Sequence, residues 1–275
     1  MKKVIEYTVY VALIVILGAM VLFGTKAYNH AIVYEEATKE LVTYHDAGQQ
    51  ASLKLEEFAK SLLGDLYDDD LKMEMDKVRD KQESAMLKAQ ENTLYFMILL
   101  ALLLILSLPI SLQAFTLFGS IAALMTLILG LITPILMVTI HKEVEYLGDI
   151  VLSFESKGVI GSIVKLWETG DIVVAIVILL FSVVVPVLKV LSLLIVSIFM
   201  NSPFAHGIIK FFKMIGKWSM VDVFVVAVFL VYLTANKGDV SRADVEMGLY
   251  FFLAYVIVSM LGSLSADRML QKLKG

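Results

Sequence analysis

Two ionisable side chains stand where charge is expensive. Lys189 lies inside an apolar run at about 172–200, and Asp222 lies one turn into another at about 218–235. A charge at the bilayer centre costs about 3 kcal/mol on insertion scales, so such groups pair, line a polar cavity or reach for the interface. Lys189 is about ten residues, or about 15 Å along a helix, from the end of its run. Asp222 is close to the same end of the next run, and a short connection makes the two runs neighbours. Ser182 precedes Lys189 by seven residues and Ser219 precedes Asp222 by three, so each serine shares a helix face with its ionisable partner. Three readings stay open for this polar cluster. Lys189 snorkels to the interface beside a hydrated Asp222, or the pair fixes helix packing, or the cluster is a proton relay or coupling site. Pro186, three residues before Lys189, removes a backbone donor in mid-helix and either kinks the helix beside the cluster or bends it without further role.

Other chemistry lacks its residues. The chain has no cysteine, which excludes disulfides, thiolate metal sites and a cysteine nucleophile. Its four histidines, His30, His45, His141 and His206, are scattered without helix-spaced partners, so no metal site is expected. Asp68-Asp69-Asp70 lacks the spacing of a calcium loop and suits the positive end of a helix. No phosphate loop, nucleophile elbow or paired carboxylates occur, so neither an enzyme nor a bound cofactor is expected. A net charge of −4 without a basic stripe speaks against nucleic acid.

The elements that must position the cluster are membrane spans. Of 275 residues, 59% are hydrophobic and 18% charged, and the apolar residues fall in blocks of bilayer-crossing length. The sequence predicts an all-α membrane protein with six transmembrane helices and an extracytoplasmic helical hairpin between the first two. The first span covers about Val4 to Phe23 and reads as a retained anchor rather than a signal peptide, being long and without a clear cleavage site. Residues 25–93 carry 15 acidic and 9 basic residues and no proline. There Leu55, Phe58, Leu62 and Leu66 recur at helical spacing, and a second helix is expected from the Asp triplet. Residues 94–140 hold 47 residues without a charge, about 70 Å as one helix and too long for one crossing. Pro109 and Ser111–Gln113 mark the break, giving helix two at about 94–110 and helix three at about 114–139. A polar loop at 141–171, helix four at about 172–200, helix five at about 218–235 and helix six at about 247–264 complete the count. The N-terminal tip, the 201–217 loop and the C-terminal tail are basic and acid-poor, and six spans place all three in the cytoplasm. Trp167 and Trp218 fall at the two interfaces as aromatic anchors.

The string Gly216-Lys217-Trp218-Ser219-Met220-Val221-Asp222-Val223-Phe224 resembles the G-[KR]-W-S-M-x-D-V-F signature of the paraquat-inducible protein A family. Pro186-Val187-Leu188-Lys189, Leu166-Trp167-Glu168-Thr169-Gly170, Gly248-Leu249-Tyr250 and Asp267-Arg268 are similar to further family elements, in family order. The resemblance covers one four-helix module at 114–275, after an N-terminal helix pair at 1–113 that brackets the 25–93 hairpin. It implies an inner-membrane subunit that loads or extracts phospholipid for a periplasmic tunnel of mammalian-cell-entry (MCE) domain proteins. Carried over by position, Lys189 and Asp222, with Ser182 and Ser219 beside them, become functional candidates. Well-known members carry two modules and cysteine-rich zinc ribbons, whereas this chain has one module and no cysteine. A single module pairs with itself or with another subunit to form a homo- or hetero-oligomer. The rival reading is a membrane sensor, or a scaffold that anchors a periplasmic partner. A sensor expects a cytoplasmic output domain, and the C-terminal tail is about ten residues.

Overall fold

The computed structural model describes residues 2–59, 68–144, 148–199 and 241–274. Five of its helices are long and apolar enough to cross a membrane, within Tyr7–Val42, Asp76–Ser107, Leu112–Ile132, Ile172–Ile198 and Met247–Met269. The protein is a multi-pass membrane protein. Helix five of the expected six, at 218–235, lies outside the described residues. The uncharged run breaks where expected: α2 (Asp68–Ser107) ends and α3 (Leu112–Ile132) begins around Pro109. Ser111 caps α3, its extended backbone turning the chain and its hydroxyl accepting from the Ala114 N–H at 3.0 Å.

Outside the spans the all-α expectation is corrected. α3 stops at Ile132 rather than near 139, because Thr133 is extended (φ −80°, ψ 144°) ahead of Pro134, whose ring disfavours helix in the residue before it. The chain continues as β1 (Leu136–Val144), which pairs antiparallel with β2 (Gly148–Lys157) and β3 (Ser241–Val245) in the order β2-β1-β3. Runs such as Val138-Thr139-Ile140 favour the pleated form by β-branching. One extra residue of β2, Leu152, separates the partners of Ile140 and His141. Beyond β3 the pairing carries on into the next helix, with Glu246 N–H donating to Ile135 O at 2.9 Å and Gly248 N–H to Pro134 O at 2.8 Å. A sheet with open edges belongs outside hydrocarbon, so this end of the bundle faces water.

In the N-terminal pair α2 begins at the Asp triplet, where the sequence places the second helix, and α1 (Lys2–Ala59) is one helix of 58 residues, about 87 Å long, that makes the first span continuous with the helix that follows it. It runs antiparallel to α2, since Phe23 meets Tyr95, Gly24 meets Phe96 and Gln82 donates to Thr38 at 2.7 Å. The buried face of α1 is Leu13, Leu17, Met20, Gly24, Ala27, Ala31, Tyr34 and Thr38, an alternation of fours and threes. The face of α2 follows the same seven-residue repeat through Val78, Ala85, Ala89, Phe96, Leu100 and Leu103. That repeat keeps two helices in contact along their length, and its small residues let the backbones approach. It passes unbroken out of the apolar stretch. The boundary is marked by the Phe23–Tyr95 ring pair (5.3 Å), by Lys26 Nζ 5.8 Å from the Phe23 ring centre and by Tyr95 Oη donating to Glu91 at 3.0 Å.

The core forms where α3 packs against α7 (Met247–Lys274) and both meet the α1–α2 pair, with Phe96 edge-on to Phe251 at 5.1 Å. At the sheet end the two helices approach to backbone contact. A Cβ on Gly130 would lie 2.8 Å from the Phe252 nitrogen, and one on Gly248 would overlap the Thr133 carbonyl oxygen and lie 2.6 Å from that of Pro134. At the other end Thr116 Oγ1 donates to Ser265 Oγ at 3.0 Å. The obstacles at Gly248 are backbone atoms held by the sheet. Gly248→Ala is therefore expected to destabilise the protein by about 1–3 kcal/mol through overpacking. Thermal unfolding in detergent checks this, and an unchanged midpoint would contradict the close approach.

Candidate functional site within the membrane

The sequence candidates gather on the segment that follows the sheet. After β2 comes a short amphipathic helix, α4 (Val159–Glu168), and then α5 (Ile172–Ile178). The turn between them is a Schellman closure: Gly170 N–H donates to Trp167 O at 3.3 Å and Asp171 N–H to Leu166 O at 2.9 Å. Gly170 takes φ +88°, the left-handed conformation that favours glycine. This gives a physical reason for glycine at 170. Leu166 supplies the far acceptor, Gly170 permits the reversal, and Trp167 stands 56% exposed beside the turn.

α5 passes through a π-helical stretch, Leu179–Val184, into α6 (Val185–Ile198). The wide turn closes with Val185 N–H donating to Leu180 O, five residues back. Pro186, the second residue of α6, has no N–H to offer the Ser182 carbonyl, so the regular ladder is interrupted beside the proline. Local widening rather than a sharp break accommodates it, which suits a backbone with no water to turn to. Ser182 lies in the wide turn, 7% exposed.

Lys189 follows on the buried face of α6, which reads Pro186, Lys189, Val190, Leu193, Val196 and Ser197, and it too is 7% exposed. The opposite face exposes Leu188, Leu191, Ile195 and Ile198. Lys189 is thus turned inward from an otherwise uncharged helix. α6 is tied to α3 at its far end by a reciprocal pair, Gln113 Nε2 donating to Ser197 O at 3.0 Å and Ser197 Oγ to Gln113 O at 3.1 Å. The ends of α2, α6 and α7 and the start of α3 therefore lie together, opposite the sheet. Asp222, Ser219 and Trp218 lie outside the described residues, as does the string Gly216–Phe224 that contains them.

Two buried polar residues at the sheet end carried no signal in the sequence. Glu246 is buried immediately before α7. Thr133 is fully buried where α3 gives way to β1. Both owe their burial to β3 lying against β1, a contact between residues a hundred apart. Among the described residues no three of His, Asp and Glu gather as a metal would require.

A model of the family described as paraquat-inducible protein A matches residues 113–271, more than half of the chain. The intermembrane transport protein PqiA of Escherichia coli strain K12 is 30% identical over 115 residues, which are 40% of this chain and 27% of that protein. A probable intermembrane transport protein of Haemophilus influenzae is 26% identical over 114 residues, 39% of this chain and 27% of that protein. The chain thus matches about a quarter of the length of these relatives. No solved structure matches it significantly. For the turn that precedes the site, Gly170→Ala is expected to lower stability by about 1 kcal/mol, the cost of a Cβ in the left-handed region. The unfolding midpoint of the purified variant reads this directly.

Proposed function

This chain belongs to the paraquat-inducible protein A family, and we propose that it is the membrane subunit of an intermembrane lipid transport system. In this reading it sits in the inner membrane of a bacterial envelope with both termini in the cytoplasm, and it loads phospholipid into, or extracts it from, a periplasmic tunnel of MCE-domain proteins. The observation that carries the reading is Lys189, buried within a span on the inward face of an otherwise uncharged helix. Relatives named as intermembrane transport proteins support it. Lys189 and Asp222, with Ser182 and Ser219, act as a proton relay or coupling site, moving charge rather than making or breaking covalent bonds. The interruption at Pro186 gives this helix a place to bend as the cluster changes state. The family match begins one residue into α3, which supports dividing the chain at 113 into the N-terminal pair and the module that handles lipid. In this reading it assembles with a second copy or with another subunit.

Affinity purification in mild detergent, with mass spectrometry of bound proteins and lipids, tests the proposal. An MCE-domain protein and enriched phospholipid are expected. Folded protein that retains neither would leave the sensor or scaffold reading. Lys189→Met is expected to express and unfold as the parent does while losing lipid transfer. Normal transfer by that variant would remove Lys189 from the mechanism.

A further inference from the structure

α4 carries three stripes, and only one of them is accounted for by the protein. Val159, Ser162, Ile163 and Leu166 are half-buried against the bundle. Ile160, Val164 and Trp167, spaced four and three apart, form a second stripe that is apolar and exposed. Gly161, Lys165 and Glu168 form a third that is polar or small and exposed. At about 100° per residue the second and third stripes are centred about 100° apart round the helix. In water alone nothing would hold three large apolar side chains on an uncovered stripe beside a polar one. At the surface of a bilayer both find their solvent.

The surroundings place α4 at that surface. It follows β2 directly, and the sheet belongs in water. After three connecting residues begins α5, whose exposed surface includes Ile172, Val173, Ile176 and Val177, the wall of a span. The exposed apolar stripe of α4 is thus continuous in sequence with a lipid-facing surface, and the closed turn at Gly170 fixes the one to the other. Trp167, the last residue of the stripe, is of the type that settles at headgroup level.

We propose that α4 is an interfacial helix, lying on the sheet-side leaflet with Ile160, Val164 and Trp167 in the acyl–headgroup boundary and Gly161 and Glu168 in water. Its partner is the lipid surface itself. The proposal does not depend on the transport reading.

The absence of cysteine makes the test direct. Ile160→Cys and Val164→Cys report the apolar stripe, and Gly161→Cys and Glu168→Cys the polar one. All four are exposed positions, and a Cβ at Gly161 meets nothing within 4 Å, so the fold should tolerate each. The full chain is placed in nanodiscs of phosphatidylethanolamine and phosphatidylglycerol and treated with a membrane-impermeant maleimide. Gly161→Cys and Glu168→Cys are expected to react on the order of tenfold faster than Ile160→Cys and Val164→Cys, because a thiol held in the apolar boundary is shielded from an aqueous reagent. In denaturing detergent the difference should vanish. A bimane label at Val164→Cys should also be quenched more by lipid spin-labelled near the headgroup than by lipid labelled at the chain end. Equal rates on the two stripes would overturn the proposal. So would slow reaction at all four, which would mean that α4 is covered by protein, and so would stronger quenching from the chain end.

Discussion

The close approach of α3 and α7 at the sheet end organises the molecule. Lipid gives no hydrophobic advantage to helix contact, so association inside a bilayer rests on packing and on polar ties between helices. Gly130 and Gly248 let the backbones meet there, and Thr116 and Ser265 tie the opposite end by hydrogen bond. α3 is the hub: α7 lies along it, the α1–α2 pair closes the core, and α6 is pinned through Gln113 and Ser197. The same junction aligns the sheet. Gly248 donates to Pro134 while its missing side chain leaves room for Thr133, so membrane packing and strand pairing meet in one residue.

Lipid as solvent also explains how the chain treats its prolines. Pro134 stands where α3 leaves the apolar region, and there the chain gives up helix for strand, with β2 and β3 taking up the backbone groups of β1. Pro186 stands inside a span, where no such exchange is available. The helix widens by one turn and continues, and the interruption falls beside Ser182 and one turn before Lys189. Polar side chains, a widened backbone and an inward-facing charge occupy the same stretch.

The N-terminal pair obeys a different rule. Its seam of alanine, glycine and threonine holds two long helices together through both lipid and water without changing register. Close contact between small side chains serves in either solvent, since it relies on fit rather than on expelling water. The pair is rooted in the core by Leu13, Met20, Phe96 and Leu103.

The sequence by itself determined the spans among the described residues and the break at Ser111, because lipid demands long apolar runs and a capped turn wherever one run must become two. It also marked Lys189 and Pro186, since charge and a lost donor stand out against such a background, and it carried the family motifs. The tertiary structure alone decided the rest. The strands are ambiguous locally: β1 pairs along its length with β2 as a local hairpin, and Ser241–Val245, a hundred residues on, joins as the third strand only through the tertiary fold. Of the α1–α2 seam, the stripe through Val78 and Ala85 is legible in the sequence, whereas the α1 side rests on alanine, glycine and threonine, which contribute little to hydropathy. Whether Lys189 faces inward or toward lipid depends on where the helix is rotated. That rotation is set by Val190, Leu193 and Ser197 packing on the buried side, a contact no single segment of sequence contains.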